Sequence, residues 1–193
     1  MAWLVAGLGN PGDRYAITRH NVGRMVVDGL AEDGGERFRK VRFLPTELAE
    51  ITVDGERVLL ARSTRFMNES GPSYASLAKK HGVEAGGVIA VHDELDIAPG
   101  TIRVKSGGGT SGHNGLRSLE RAFRSAEFLR VRVGIGRPPG RQDPADFVLQ
   151  PVAARDRPDL ALLVGHAVQA VRSLVTEGLE RTQDRFNRTT PGA

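Results

Sequence analysis

The sequence predicts an α/β fold, a single domain over residues 1–193 in which a mixed, mainly parallel and twisted β-sheet is flanked by helices on both faces. Strand-like apolar runs alternate with helical periodicities, which is typical of a parallel sheet. Asp54-Gly55 joins two of these runs and is a hairpin signal, so part of the sheet is expected to be antiparallel. No internal repeat or long linker divides the 193 residues, a length that can bury a core without disulfides or metals.

Apolar or β-branched runs bounded by turn residues are predicted to be the strands. They lie at residues 3–7, 48–53, 57–62, 88–92, 101–105 and 129–135. The second and third flank the hairpin signal and are expected to pair with each other.

Stretches with apolar residues at helical spacing are predicted to be the helices. They contain residues 22–30, 74–78, 116–123 and about 158–177. Glycines at 34, 82 and 178 follow three of these stretches and are typical of helix ends. The polar tail from 182 to 193 is expected to be mobile, at least towards its end.

Composition excludes several classes of protein. The chain has no cysteine, which removes disulfides, thiolate metal sites and a cysteine nucleophile, and suits a reducing cytoplasm. The first apolar run is too short for a signal peptide and lacks a basic flank, and no segment has the length of a transmembrane helix. We therefore expect a cytoplasmic protein with no membrane partner. The net charge of +4 is weak evidence for a polyanionic partner, although the many arginines favour bidentate phosphate contacts.

Polar residues cluster where the predicted strands end. The clusters read GNPG after the first strand, STRFMNESG after the third, HDELD after the fourth and SGGGTSGHNG after the fifth. Because ligands of such sheets bind beyond the carboxyl ends of the strands, these clusters are the expected site.

Four familiar motifs match poorly. Residues 7–12 have the GxGxxG spacing of a dinucleotide site, but Pro11 interrupts and no helical face follows at once. The glycines at 107–112 lack the Lys-Ser/Thr of a phosphate loop, although their amides could line a concavity. HDELD could hold a metal with His20 or His113, but no HExxH pairing supports it, and there is no GxSxG elbow. Neither a nucleotide cofactor nor a metal ion is therefore expected.

His20 stands where the first helix begins, and a helix N-terminus favours the neutral, basic form of an imidazole. Asp93, at the end of another strand, is the candidate carboxylate that would hold the ring in one tautomer. Asn10, Asn68 and Asn114 lie at strand ends or helix starts, and uncharged amides suit the recognition of carbonyl groups and a developing oxyanion. With no serine elbow, attack by a histidine-activated water is the simplest hydrolytic chemistry.

Five stretches together resemble one family, the bacterial peptidyl-tRNA hydrolases. They are LVAGLGNPGDRYAITRHNVG, FMNESG, HDELDIAPG, GGGTSGHNGLRS and RVRVGIGRPPGR. They occur in the family's order and spacing and extend over nearly the whole chain, with residues 33–56 and the tail the weakest parts. The resemblance implies a monomeric enzyme without cofactor that cleaves the ester between a peptide and the terminal ribose of tRNA, and so recycles tRNA from peptidyl-tRNA that has left the ribosome.

The same resemblance implies a role for individual residues. His20 resembles the family's general base, Asp93 its orienting carboxylate, and Asn10 the residue that helps to distinguish N-blocked from free aminoacyl ends. Residues that resemble contacts to the peptide or to the tRNA end are Tyr15, Phe66, Asn68 and Asn114, and those that resemble contacts to tRNA phosphates are Arg103, Lys105 and Arg132. One departure is Ser111, where the family often has glycine; because serine resists positive φ, it bears on the shape of the loop at 106–112.

Two other functions stay open at this point. An RNA-binding module could keep the fold without the reaction, but it would not need His20, Asp93 and the asparagines together. A small-molecule esterase could use the same His–Asp pair, and it would ignore tRNA.

Overall fold

The computed structural model describes residues 2–188. Its strands are β1 (Ala2–Gly7), β2 (Arg39–Lys40), β3 (Thr46–Val53), β4 (Glu56–Ser63), β5 (Val88–Glu94), β6 (Ile102–Ser106) and β7 (Leu129–Gly134). Its α-helices are α1 (Val22–Asp33), α2 (Gly71–His81), α3 (Asn114–Phe123), α4 (Pro144–Leu149) and α5 (Arg157–Phe186). Among the residues described, no helix combines the length and the apolar character needed to cross a membrane.

The strands form one sheet in the order β2-β3-β4-β1-β5-β7-β6. The central strands β4, β1, β5 and β7 are parallel to one another. The pairs β2–β3, β3–β4 and β6–β7 are antiparallel, and β3 and β4 are joined through the hairpin at Asp54-Gly55. The predicted α/β class, with a mixed sheet and a parallel centre, is confirmed.

Helices cover both faces of the sheet. Because side chains alternate along a strand, Val5 of β1 packs into a core with α1 and α5, whereas the adjacent Leu4 packs into a second core with α2 and α3. Both residues are fully buried. The inner strands β1 and β5 are therefore apolar on both faces over most of their length, and β5 carries polar groups only where it ends.

A close approach at Gly23 brings the start of α1 onto these strand ends. A Cβ at this position would overlap the backbone oxygen of Val91 and lie 2.7 Å from the backbone nitrogen of Leu8. Only glycine lets the helix begin directly against β1 and β5. This contact places the 3-10 turn Arg19–Asn21, and with it His20, at the edge of the sheet where β1 and β5 end.

Two elements, β2 and α4, were not predicted from the sequence. β2 has two residues, Arg39 and Lys40, and both are exposed, so it has no apolar run to mark it. α4 has six residues and is too short to show a helical period, although Asp143 caps it and Pro144 occupies its first turn.

The end of the chain differs from the expected mobile tail. α5 is interrupted at Gly178 (φ 80°), where its end was predicted, but it continues to Phe186. Thr182 is buried and donates to the backbone oxygen of Gly178 at 2.7 Å, while the Asn187 side chain accepts from the Val104 nitrogen at 2.7 Å and donates to the Val104 oxygen at 2.8 Å. Asn187 thus ties the end of α5 to β6. The rest of the tail, 189–193, lies outside the described residues.

Candidate active site

A cavity of about 490 Å³ opens at the carboxyl ends of β1 and β5. Asn10 follows β1, Asp93 lies one residue before the end of β5, and the turn Met67–Glu69 that follows β4 forms one wall. The loop at 110–114 forms a second wall. The cavity therefore lies at the predicted edge of the sheet.

His20 and Asp93 form a hydrogen-bonded pair in this cavity. Asp93 is buried on β5 (5% exposed), and its two carboxylate oxygens lie 3.1 and 3.0 Å from His20 Nδ1. Because a carboxylate can only accept, Nδ1 carries the proton and Nε2 of a neutral His20 keeps its lone pair. The side chain is 12% exposed and lines the cavity, so this lone pair is available to a bound molecule.

His113 contacts the same carboxylate and was not predicted as part of the catalytic group. Its Nε2 donates to Asp93 Oδ1 at 2.8 Å, and its Nδ1 accepts from the backbone N–H groups of Gly115 and Leu116 at 3.1 and 3.3 Å. The ring thus caps the start of α3 and ties it to β5. The sequence carried one signal, a histidine directly before a predicted helix start, but its link to Asp93 depends on the tertiary fold.

The three side chains His20, Asp93 and His113 also have the composition of a metal site, with ligand atoms within 4.8 Å of one another. Their hydrogen bonds argue for another use. His113 Nδ1 must keep its lone pair to accept the two backbone N–H groups, so Nε2 of the neutral ring carries the proton and has no lone pair for a metal. The arrangement suits a carboxylate that accepts from two imidazoles.

Neighbouring charges shift the pKa values of Asp93 and His20. Burial raises the pKa of Asp93, but the charges of His20 and His113 and their hydrogen bonds outweigh it and hold the pKa well below its usual range. Burial lowers the pKa of His20, yet the charge and the hydrogen bond of Asp93 prevail and the pKa is raised above 6.5. Asp93 is therefore a carboxylate at neutral pH, and it favours the protonated form of His20.

His92 lies beneath the group and stays neutral. Burial and then the neighbouring His113 lower the pKa of His92 to about 3. Its Nδ1 donates to the backbone oxygen of Asp93 at 2.8 Å, and its ring centroid lies 5.0 Å from that of His113. An uncharged imidazole is thus held against the backbone of Asp93.

Asn10 is held in one orientation by its neighbours. Its backbone N–H donates to Asn21 Oδ1 at 2.8 Å, and its backbone oxygen accepts from Asn21 Nδ2 at 2.9 Å. Its side-chain oxygen accepts from the Met67 N–H at 2.7 Å. Since Oδ1 is occupied by a donor, the amide Nδ2 of Asn10 is the group that faces the cavity as a hydrogen-bond donor. Asn21 and Met67, which set this orientation, were not predicted as site residues.

The other predicted contact residues lie around the cavity. Phe66, Asn68 and Asn114 line it, whereas Tyr15 lies beside it and packs edge-on against Phe66 with ring centroids 6.2 Å apart. Ser111, on the loop that forms one wall, has φ 48°, so serine does occupy a left-handed position that favours glycine.

Arg103, Lys105 and Arg132 lie outside the cavity, on the adjacent strands β6 and β7. Arg103 donates to the backbone oxygen of Asn187 at 3.1 Å, and Arg132 pairs with Glu94 at 3.3 Å. Burial and then Arg132 and Arg130 lower the pKa of Lys105. The cluster is cationic and partly exposed, and two of its members also serve the fold.

The residues of the far wall of the cavity were not predicted from the sequence. This wall contains Pro144, Ala145, Val148 and Leu149 of α4, together with an ion pair in which Arg137 Nη2 lies 2.6 Å from Asp96 Oδ1. Because α4 is short, only its cap signals at residues 143–144 could have indicated it.

Known proteins resemble this chain in sequence and in fold. The model of the family described as peptidyl-tRNA hydrolase matches residues 4–192. The peptidyl-tRNA hydrolase of Frankia alni is 51% identical over 96% of this chain and 93% of its own, and that of Nocardia farcinica is 50% identical over 95% of each chain. A crystal structure of peptidyl-tRNA hydrolase from Acinetobacter baumannii superimposes with a TM-score of 0.89 and 32% identity, covering 99% of this chain and 97% of that one.

Proposed function

The chain belongs to the peptidyl-tRNA hydrolase family and is a hydrolase, and from this premise we propose that it hydrolyses the ester between the peptide and the terminal ribose of tRNA, with a water activated by His20 and Asp93. One observation supports this mechanism above all. The Nδ1–H of His20 donates to Asp93, which leaves the Nε2 lone pair facing a cavity that also contains the Asn10 amide.

The proposed reaction has two proton transfers. His20 Nε2 takes a proton from a water as its oxygen attacks the ester carbonyl carbon, and Asp93 stabilises the imidazolium that forms. The tetrahedral intermediate then breaks the bond to the ribose oxygen, and the imidazolium returns the proton to that oxygen. The products are the peptide acid and a tRNA with a free ribose hydroxyl.

Asn10 serves recognition in this proposal. Its Nδ2–H donates to a carbonyl oxygen of the acyl group, and because Met67 holds its other end, the amide cannot turn to offer an acceptor to a free ammonium group. Preference for N-blocked substrates follows from that fixed orientation. Asn68, Asn114, Phe66 and Tyr15 position the peptide or the tRNA end, while Arg103, Lys105 and Arg132 bind phosphates.

We further propose that the enzyme acts as a monomer in the cytoplasm, where it recycles tRNA from prematurely released peptidyl-tRNA. The resemblance of the sequence to the family supports this, as does a chain without cysteine, which suits a reducing compartment.

The test is release of an N-acetylated amino acid from tRNA, with unblocked aminoacyl-tRNA as the comparison substrate. His20→Ala should lower kcat by about 10²–10⁴, the contribution of a positioned general base. His166→Ala, the same substitution on the exposed face of α5, should leave kcat unchanged. Full activity in a folded His20→Ala protein would refute the mechanism. Binding of tRNA without release would favour an RNA-binding module, and release from simple esters with no affinity for tRNA would favour a small-molecule esterase.

A further inference from the structure

Phe43 is an unusual residue on the surface. It is 87% exposed and has φ 65°, in the left-handed region that side chains with a Cβ rarely adopt. An exposed phenylalanine buries little apolar area, and a glycine would take this backbone conformation without strain. Strain of this kind is concentrated at binding and catalytic sites, so a binding role is the hypothesis for this position.

The turn that carries Phe43 is fixed by backbone hydrogen bonds. The Val41 N–H donates to the Thr46 oxygen at 2.9 Å, and the Thr46 N–H donates to the Leu44 oxygen at 2.8 Å. The Thr64 N–H donates to the Pro45 oxygen at 2.9 Å, which ties the turn to the segment after β4. The ring is therefore presented by a rigid support.

This turn lies at the same edge of the sheet as the cavity. Thr46, the first residue of β3, pairs with Ser63 at the carboxyl end of β4, and the turn before Thr46 projects from that edge. β2 is three strands from β1, or roughly 15 Å at the usual spacing. Arg65 and the half-exposed Phe66, which lines the cavity, lie in the chain segment after β4 that the turn contacts.

The residues around Phe43 are cationic. The segment 37–45, which we call the basic hairpin, contains Arg37, Arg39, Lys40 and Arg42, all exposed, and Arg65 is exposed as well. Within residues 2–188 none of these five side chains forms an ion pair. The Arg42 guanidinium lies 4.6 Å from the centroid of the Phe43 ring, so one face of the ring carries a cation while most of the ring remains accessible.

From these observations we propose that the basic hairpin is a second RNA-contact surface, in which Phe43 stacks on an unpaired base and the neighbouring arginines and lysine bind phosphates. An exposed aromatic ring interleaved with unpaired cations is the arrangement that binds single-stranded nucleic acid. The acyl part of the substrate varies in charge, whereas the RNA is always a polyanion, so charge complementarity selects the RNA. The inference rests on the proposed function, because the RNA is that of the substrate.

The ring is tested by Phe43→Gly, which removes the side chain and also relieves the left-handed strain, so the fold should hold or become more stable. The dissociation constant for tRNA, measured by fluorescence anisotropy, should rise about fivefold or more, and Phe43→Tyr should restore it. Leu162→Ala, at an exposed apolar residue of α5, is the matched control and should change nothing.

Hydrolysis with two substrates separates RNA contacts from acyl contacts. KM for N-acetylated aminoacyl-tRNA should rise in Phe43→Gly, whereas hydrolysis of the same acyl group on a single nucleoside should be unchanged. Equal losses on both substrates, or no loss of tRNA affinity, would overturn the proposal. Because tRNA binding is measured directly, a wild-type protein that binds tRNA but releases nothing would contradict the proposed function and still test the basic hairpin.

The charges are tested by the salt dependence of binding. Arg39→Gln combined with Lys40→Gln should reduce the slope of log K against log salt concentration by about one to two units, since each phosphate contact contributes about 0.9. Lys79→Gln combined with Lys80→Gln removes the same charge at the opposite edge of the sheet, near the start of β5. An equal change of slope in both double variants would show a general charge effect and would refute the contact.

Discussion

Asp93 accepts hydrogen bonds from two histidines, and this determines how the rate should depend on pH. His20 must be neutral to take a proton from water, and Asp93 raises its pKa above 6.5 in spite of burial. The value of kcat/KM should therefore rise with pH through an inflection above 6.5.

Replacing Asp93 by asparagine should shift that inflection. In Asp93→Asn burial still lowers the pKa of His20, but the opposing carboxylate is gone, so the inflection should move to lower pH. The plateau rate should fall by about 10²–10⁴, because nothing stabilises the imidazolium. A pH–rate profile measures both effects. Asp33→Asn, on the exposed end of α1, is the control, and an inflection that stays in place in Asp93→Asn would mean that another group titrates.

For single residues, the sequence predicted which side chains belong to the candidate site better than it predicted their hydrogen bonds. His20 and Asp93 were predicted as a pair although 73 positions separate them, because His20 stands at the start of the first helix and Asp93 at the end of a strand, where ligands of such sheets bind. His113 and Asn21 were not predicted in their observed positions. Their hydrogen bonds depend on which ring nitrogen or amide atom faces which neighbour, and residue spacing does not contain that information.

Among the elements, α2 and α3 pack most closely where Gly71 meets Ser118. A Cβ on Gly71 would overlap the backbone carbonyl of Ser118, and the Gly71 N–H donates to Ser118 Oγ at 2.8 Å. The turn just before Gly71 carries the Met67 N–H that holds Asn10. A contact between two helices outside the cavity, at Gly71 and Ser118, thus supports the orientation of a cavity residue.

Two identical substitutions should therefore have opposite effects. Gly71→Ala should lower the free energy of unfolding by about 1–3 kcal/mol, because the helices must separate, and should lower kcat as the Met67 turn moves. Gly165→Ala, in an exposed turn of α5 with open space around it, should raise the free energy of unfolding by about 0.5–1 kcal/mol. Urea unfolding of both variants gives the comparison. A tolerated Gly71→Ala would mean that α2 and α3 can repack without loss.

The elements that the sequence predicted are those with an apolar face of their own. The paired strands β3 and β4 and the long helix α5 repeat their hydrophobic period often enough to be recognised. The two-residue β2 and the six-residue α4 do not, and they depend on neighbours for their form. β2 is part of the basic hairpin and α4 lines the cavity, so the parts hardest to predict belong to the two proposed binding surfaces.

On the scale of the whole molecule, two cationic surfaces lie on opposite sides of the cavity, towards the two ends of the sheet. β6 and β7 carry Arg103, Lys105 and Arg132 on one side of the cavity, and the basic hairpin lies on the other side, beyond β4. The alternation of strands and helices predicted the sheet, but the strand order determines which loops share an edge. Only the structure shows that residues near 43 and near 105 lie on opposite sides of one cavity.

This arrangement predicts how the two surfaces combine. Lys105→Gln and Arg132→Gln should each lower the salt slope of tRNA binding by about one unit. The change should be the smaller of the two in Arg132→Gln, because Glu94 already pairs with Arg132 at 3.3 Å. If one RNA molecule contacts both surfaces at once, the free-energy losses of Lys105→Gln and of Phe43→Gly should add within about 0.5 kcal/mol, as they do for distant, independent contacts. If tRNA instead binds either surface in alternative poses, each single variant would have little effect and the combined variant a large one. Anisotropy titrations of the wild type, the two single variants and the combined variant at three salt concentrations distinguish the cases, and additivity would mean that the substrate spans the cavity from β6 to the basic hairpin.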